Sequence, residues 1–295
     1  MQEQDLTRQL AHLIVYQAVD EDARVHARQG IIDFFAVTYP VIKELIPDSS
    51  WHAIRQVYAD NTLSNLALKL GYAGHALDFD DFHADFRGHP SVVILPVLFA
   101  LLDEQAYTFD HFLDAYCIGV EVSGRLGLAI SQQHYLKGFH STATLGIVAS
   151  TAAMARFCRF DEDQVCNAIG LACTLSSGLR SQFGSAIKPL HVGFTCQRVI
   201  EIYRLVQSEV CGQSKGVLDN FLKAYSDLDR IVPEHLIRHW GNPFRIVSPS
   251  LEFKPYASCS GTHTTIDVVK KLKHEWLNTG QSIDDLLSII DKIEL

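Results

Sequence analysis

The chain has 295 residues, 47% of them hydrophobic and 20% charged, enough to bury a large core in one big domain or two ordinary ones. Its formal net charge of −9 runs against general binding to nucleic acid or to an anionic membrane, which calls for the opposite sign. The longest apolar run, residues 92–102, is interrupted by Pro96 and falls short of the roughly 20 residues that span a bilayer, and the polar start, Met1 to Gln9, lacks the apolar stretch of a secretory signal.

Helical periodicity dominates as far as residue 230. A helix is expected from Glu21 or Asp22 through Val25, Ile31, Phe34 and Phe35, and another from Asn61 through Leu66, Leu68 and Leu70 towards Leu77. Phe109 to Ile130 reads as one long helix. Residues 142–157 are rich in Ala, Ser, Thr and Gly, which permits close approach of helices. Residues 161–177 and 189–210 complete an expected bundle. Near Asn242 the character changes: residues 243–253 are β-branched and punctuated by proline, a helix is expected over 264–276, and 286–295 reads as a helix or as ending in a strand at Ile293. The expectation is a mainly α protein: a large all-helical domain, 1–242, followed by the start of a smaller α+β lid domain, 243–295. The seven cysteines are scattered and form no CxxC pair. Most lie in apolar stretches, where a reduced thiol packs as a small hydrophobe, so a cytoplasmic protein without disulfides is expected.

Four segments are candidates for chemistry. Between His75 and His89 stand Asp78, Asp80, Asp81, Asp85 and His83. If the helix from Asn61 continues, His75, Asp78 and Phe82 share one face while Asp80 and Asp81 point elsewhere. A divalent-metal site, a metal-free catalytic site and a solvated acidic helix end all fit that spacing. In residues 137–142, Ser141 or Thr142 is a candidate helix cap, which would place His140 beside a helix N-terminus; the alternative is a plain loop histidine. Residues 178–185, with Arg180 and Ser181, form a polar glycine-bearing loop that leads to Lys188-Pro189-Leu190-His191. Lys254-Pro255-Tyr256, with Cys259 and His263, is either a site or a surface turn. His89, Lys188 and Lys254 each precede a proline, which pushes a residue out of helical conformation and favours a helix starting at the proline itself. That geometry puts His89 and Lys188 at helix mouths, where free N–H groups welcome a carboxylate.

Taken in order, Gly74-His75-Ala76-Leu77-Asp78-Phe79-Asp80-Asp81, Gly88-His89-Pro90-Ser91, Gly138-Phe139-His140-Ser141-Thr142, Lys188-Pro189-Leu190-His191-Val192-Gly193 and Lys254-Pro255-Tyr256 with Cys259 and His263 resemble the MmgE/PrpD family. The resemblance implies a homodimeric enzyme of small carboxylic acids that uses no cofactor and no metal. Its pocket would lie between the helical domain and the lid. Catalytic roles would fall on Asp78, His89, His140, Lys188 and Lys254, with Arg180, Ser181, Cys259 and His263 binding substrate. The lysines would offset charge on a carboxylate, the two histidines would move protons, and Asp78 would orient a histidine or meet a substrate hydroxyl.

The family includes 2-methylcitrate dehydratase, cis-aconitate decarboxylase and iminodisuccinate epimerase. Where the decarboxylase has a threonine this chain has Phe82, and where it has a histidine this chain has Cys259, so the expectation is a lyase resembling 2-methylcitrate dehydratase. Family members continue beyond Leu295, which suggests a shortened chain. Two other readings stand: an epimerase or isomerase of an iminodisuccinate-like diacid, and a truncated dimeric binding module without turnover. Asp80-Asp81 with Asp85 and Arg87, and Asp284-Asp285, also loosely resemble the Mg²⁺-binding motifs of all-helical isoprenoid synthases.

Overall fold

In the computed structural model, which describes residues 5–289 and Lys292, the chain runs through α1 (Leu6–Tyr16), α2 (Glu21–Ile42), α3 (Trp51–Val57), α4 (Leu63–His75), α5 (Ser91–Ala100), α6 (Phe109–Ile130), α7 (Gln133–Leu136), α8 (Ser141–Thr144), α9 (Gly146–Phe157), α10 (Glu162–Leu175), α11 (Ile187–Gln207), α12 (Val217–Tyr225), α13 (His263–Leu277) and α14 (Ile283–Ile289). Capping sets many of the starts. Asp5, Asp20, Thr62, Thr108 and Asp161 each accept a backbone N–H from the first turn of α1, α2, α4, α6 and α10. Among the described residues no helix is long and apolar enough to cross a membrane.

The core lies where α5 passes between α4, α6, α9 and α11. Every residue of α5 except Phe99 is buried, as expected of a helix that is apolar all round. α4 runs along α11, and small residues permit it: a Cβ at Gly193 would come within 2.9 Å of the Leu68 carbonyl oxygen, and one at Gly71 within 2.9 Å of the Cys196 sulfur. The helix expected over 142–157 divides at Leu145 into α8 and α9, and α11 begins at Ile187, ahead of Pro189.

Residues 243–254 show no strand. Ile246–Ser250 is an irregular helical turn, and Phe244, Ile246 and Leu251 are buried against α2 and α6. Among the described residues β-pairing is limited to isolated bridges, of which Phe82 with Glu252 is one. The prolines explain this: Pro243 and Pro249 cannot donate to a ladder. The expected helix over 264–276 is α13; neither α13 nor α14 buries a residue. Ile293 lies outside the described residues.

A buried ion pair fastens the segment before Lys254 to the helices. Glu121 and Arg125, one turn apart on α6, are 0% and 1% exposed and bond to each other. The Arg125 guanidinium also donates to the carbonyls of His235, Arg238 and His239, while Glu121 accepts the backbone N–H of Gly241 at 3.0 Å and of Arg245 at 2.5 Å.

Candidate active site

α4 ends at His75, and the chain leaves it through Asp78, whose φ of +49° lies in the left-handed region. The helix therefore does not continue to Phe82, and the shared face of His75, Asp78 and Phe82 is not formed. The turn instead aims Asp78 at two ammonium groups. Lys188, in the first turn of α11, donates to Asp78 Oδ1 at 2.8 Å. Lys254 donates to the same oxygen at 2.9 Å and to the Asp78 carbonyl at 2.7 Å. Phe82 and Glu252 exchange backbone hydrogen bonds of 2.9 and 2.8 Å, which sets Lys254 two residues further along at the right place. Burial alone would push the Asp78 carboxyl up, but Lys188 and Lys254 outweigh it and hold it at about 2.

Lys188 is helical, contrary to the extended conformation expected before proline. Pro189 falls in the first turn, where its missing N–H has no intrahelical partner to lose. His89 does sit at a helix mouth, with Pro90 opening α5. Its backbone N–H goes to Thr142 Oγ1 at 3.2 Å, so Thr142 serves His89 rather than capping α8, whose N-cap residue is His140.

Asp78, His89, His140, Arg180, Lys188, Lys254 and Cys259 line one cavity of about 650 Å³. Ser181 and His263 are not in its wall: Ser181 is exposed, and the His263 ring packs on Tyr256 and faces the Ser258 carbonyl. The cavity also takes in Phe82, Arg87 and Phe183, for which no site role was expected, and Tyr135, which no local motif marked. Arg180 stacks its guanidinium 3.6 Å from the centre of the Tyr135 ring and donates to the Tyr135 carbonyl at 2.8 Å. Arg87 is anchored on the Gly127 carbonyl at 3.0 Å. The lining thus holds Arg87, Arg180, Lys188 and Lys254 against the single carboxylate of Asp78, a cationic concavity in a chain of net charge −9.

His140 contacts His191 through their Nδ1 atoms at 3.3 Å. Burial, and then the charges of His75, His89, His191 and Lys188, push His140 well below its ordinary range, so it rests neutral. Beneath the cavity, His75 Nδ1 lies 2.8 Å from Asp80 Oδ2, and His89 Nδ1 lies 3.2 Å from that same oxygen and 2.7 Å from the Asp81 carbonyl. Asp81 is wholly buried, hydrogen-bonded to Ser91, and burial drives its carboxyl well above the usual range.

The donor atoms of His75, Asp78, Asp80 and His89 all lie within 4.8 Å of one another, which invites a metal. Their hydrogen bonds answer otherwise: Asp78 is held by two ammonium groups, and the Nδ1 atoms of both histidines are engaged by protein oxygens. A divalent cation there would have to compete with both ammonium groups for Asp78 and face both lysine charges. Nor does the pair Asp80-Asp81 offer an aspartate-rich metal face, since both side chains are buried away from the cavity lining.

These groups predict an acid-labile fold. His75 and His134 are pushed down to about 4 chiefly by burial, and His83, His140 and His191 are lowered for the same first reason. A histidine lowered in the folded state stabilises the fold above about pH 6.5, and that contribution is lost as pH falls towards 4, roughly 3 kcal/mol each for His75 and His134. Burial raises Asp33 to about 6 and raises Asp81 as well, and these two work in the opposite sense as they gain protons. Five histidines against two carboxyls leave a net loss. The urea midpoint is expected to be lower at pH 5 than at pH 7.5; a higher one at pH 5 would contradict the burial of neutral histidines.

The sequence profile of the MmgE/PrpD N-terminal domain matches residues 7–229. The chain belongs to the MmgE/PrpD family. It is 27% identical over 216 residues to a cis-aconitate decarboxylase of Aspergillus terreus (strain NIH 2624 / FGSC A1156), covering 68% of this chain and 44% of that protein. It is 27% identical over 213 residues to the cis-aconitate decarboxylase of Homo sapiens, covering 69% and 43%, and 26% identical over 248 residues to that of Mus musculus, covering 76% and 50%. The chain spans about half the length of these curated relatives.

Proposed function

We propose that the protein is a lyase that acts on a small di- or tricarboxylic acid by acid–base chemistry at the carbon next to a carboxylate, in the manner of a 2-methylcitrate dehydratase. One observation carries this reading: His89 and His140 share a cavity of about 650 Å³ with the Lys188–Asp78–Lys254 cluster. Removing a proton next to a carboxylate builds a second negative charge on that group. Lys188 and Lys254, preorganised on Asp78, are placed to offset it as it forms, aided by Arg87 and Arg180 on the remaining carboxylates. A histidine takes the proton, the C–H electron pair becomes the new carbon–carbon double bond by way of the carboxylate, and the hydroxyl departs as water with the proton that the imidazolium so formed passes to it. His140 rests neutral and therefore suits the base or a neutral N–H donor rather than a standing imidazolium.

The relatives carry the name of a decarboxylase. Phe82 and Cys259, the two positions where the sequence departs from a decarboxylase pattern, both stand in the cavity wall, which favours elimination of water over loss of CO₂. The test is NMR in D₂O with EDTA present, against 2-methylcitrate, citrate, cis-aconitate and iminodisuccinate-like diacids. Formation of an alkene with loss of water supports the reading. Deuterium entering the α-carbon without elimination would make the protein an epimerase, and CO₂ release a decarboxylase. Loss of turnover on adding EDTA would overturn the metal-free mechanism.

A further inference from the structure

The carboxylate that serves a histidine is not Asp78, which the lysines occupy, but Asp80, which no motif singled out for that role. His89 Nδ1 lies 2.7 Å from the Asp81 carbonyl oxygen, and a carbonyl oxygen only accepts, so Nδ1 carries the hydrogen. The lone pair is then on Nε2, in a ring that lines the cavity. Asp80 Oδ2 sits 3.2 Å from the same Nδ1 and receives the His75 Nδ1–H at 2.8 Å. Asp80 is 1% exposed and His75 is 1% exposed. The His75 ring centre lies 4.8 Å from that of His89 and 5.8 Å from that of His140, so it braces both.

We propose that Asp80, backed by His75, is the positioning residue for His89: beside the Asp81 carbonyl, which fixes the Nδ1–H tautomer and leaves Nε2 facing substrate, it supplies the balancing negative charge when Nε2 takes a proton. The step transfers one proton from substrate carbon to Nε2. The C–H pair stays on the substrate, and Asp80 remains a carboxylate throughout, as an orienting aspartate does behind a histidine base. The groups around Asp80 agree. Asp81 and Asp33 are both raised by burial, Asp81 well above its usual range and Asp33 to about 6, so neither neighbour is held ionised as Asp80 is; His75 is lowered by burial, and Lys188, Lys254 and His140 lie on the cavity side. Burial favours a protonated Asp80, yet His75 and His89 outweigh it and hold the carboxyl well below its usual range. Among the described residues the Nε2 of His75 and the Oδ1 of Asp80 have no hydrogen-bond partner, so the two side chains are joined through Nδ1 and Oδ2.

This inference rests on the acid–base reading, and its test separates the two. In the 295-residue chain, nitrogen-15 spectra of the histidines, with His89 assigned from its loss in His89→Gln, are expected to show His89 as the Nδ1–H tautomer. An Nε2–H tautomer overturns the proposal whether or not any acid is turned over. Asp80→Asn keeps the shape and one accepting oxygen while removing the charge. It is expected to keep the tautomer, to lower kcat roughly 10- to 1000-fold, and to leave KM within about threefold. It is also expected to move the acid limb of the kcat/KM profile to lower pH. A purely structural Asp80 would give a loss with that limb unmoved, which overturns the proposal. His75→Gln retains an N–H donor for Asp80 and is expected to recover most of the activity that His75→Ala loses; equal losses in both overturn the part assigned to His75.

Discussion

Lys188→Ala is expected to lower turnover of the cognate acid by roughly two to four orders of magnitude, the range set by removing a preorganised charge from a developing oxyanion. The side chain is 14% exposed and its ammonium sits 2.8 Å from Asp78 Oδ1, so alanine removes one of the two charges that hold Asp78 ionised at the cavity floor. Lys254 alone then serves both Asp78 and the substrate. The loss is expected mainly in kcat, because Arg87 and Arg180 still hold the substrate. Lys188→Arg is expected to recover little, since a planar fork does not reproduce a compact ammonium shared at one oxygen. Steady-state kinetics on the acid identified by NMR checks this; kcat within threefold of wild type would remove Lys188 from the chemistry.

Arg125→Met is expected to cost about 3–5 kcal/mol of folding stability, because it strands a buried charge. Glu121 would keep only the two backbone N–H groups of Gly241 and Arg245, and the carbonyls of His235, Arg238 and His239 would lose their donor. The double variant Glu121→Gln with Arg125→Met is expected to be more stable than Arg125→Met alone, since no ion is then left unpaired. Urea unfolding of the three proteins decides it. A loss below about 1 kcal/mol for Arg125→Met would mean that water reaches Glu121 and the pair is not the clasp described.

Local signals served the helices well and the long-range pairings poorly. α6 has the expected bounds, Phe109–Ile130, because Thr108 caps its start and its apolar positions recur at helical spacing. The candidate residues Asp78, His89, His140, Lys188 and Lys254 do converge on one cavity, each carried there by a motif short enough to read. What the spacing did not carry was the division of labour. The left-handed φ at Asp78 turns its carboxylate to the lysines, and Asp80 takes the histidines in its place. Arg87 and Tyr135 enter the cavity through tertiary contacts with Gly127 and Arg180, to which no periodicity points. The strand character of residues 243–253 was a true reading of β-branched composition that prolines and a buried seat on α2 and α6 override.

The double anchoring of Asp78 also orders events in time. Its two ammonium partners lie 110 and 176 residues further along the chain. At about 5–20 residues per second, a ribosome delivers Lys254 on the order of ten seconds or more after Asp78 has emerged. Through that interval the helices can gather their apolar faces, yet the carboxylate lacks its second counter-charge and the cavity lacks one wall. The cavity wall is therefore completed only once Lys254 has emerged, and a nascent chain stalled before that point would hold Asp78 on Lys188 alone.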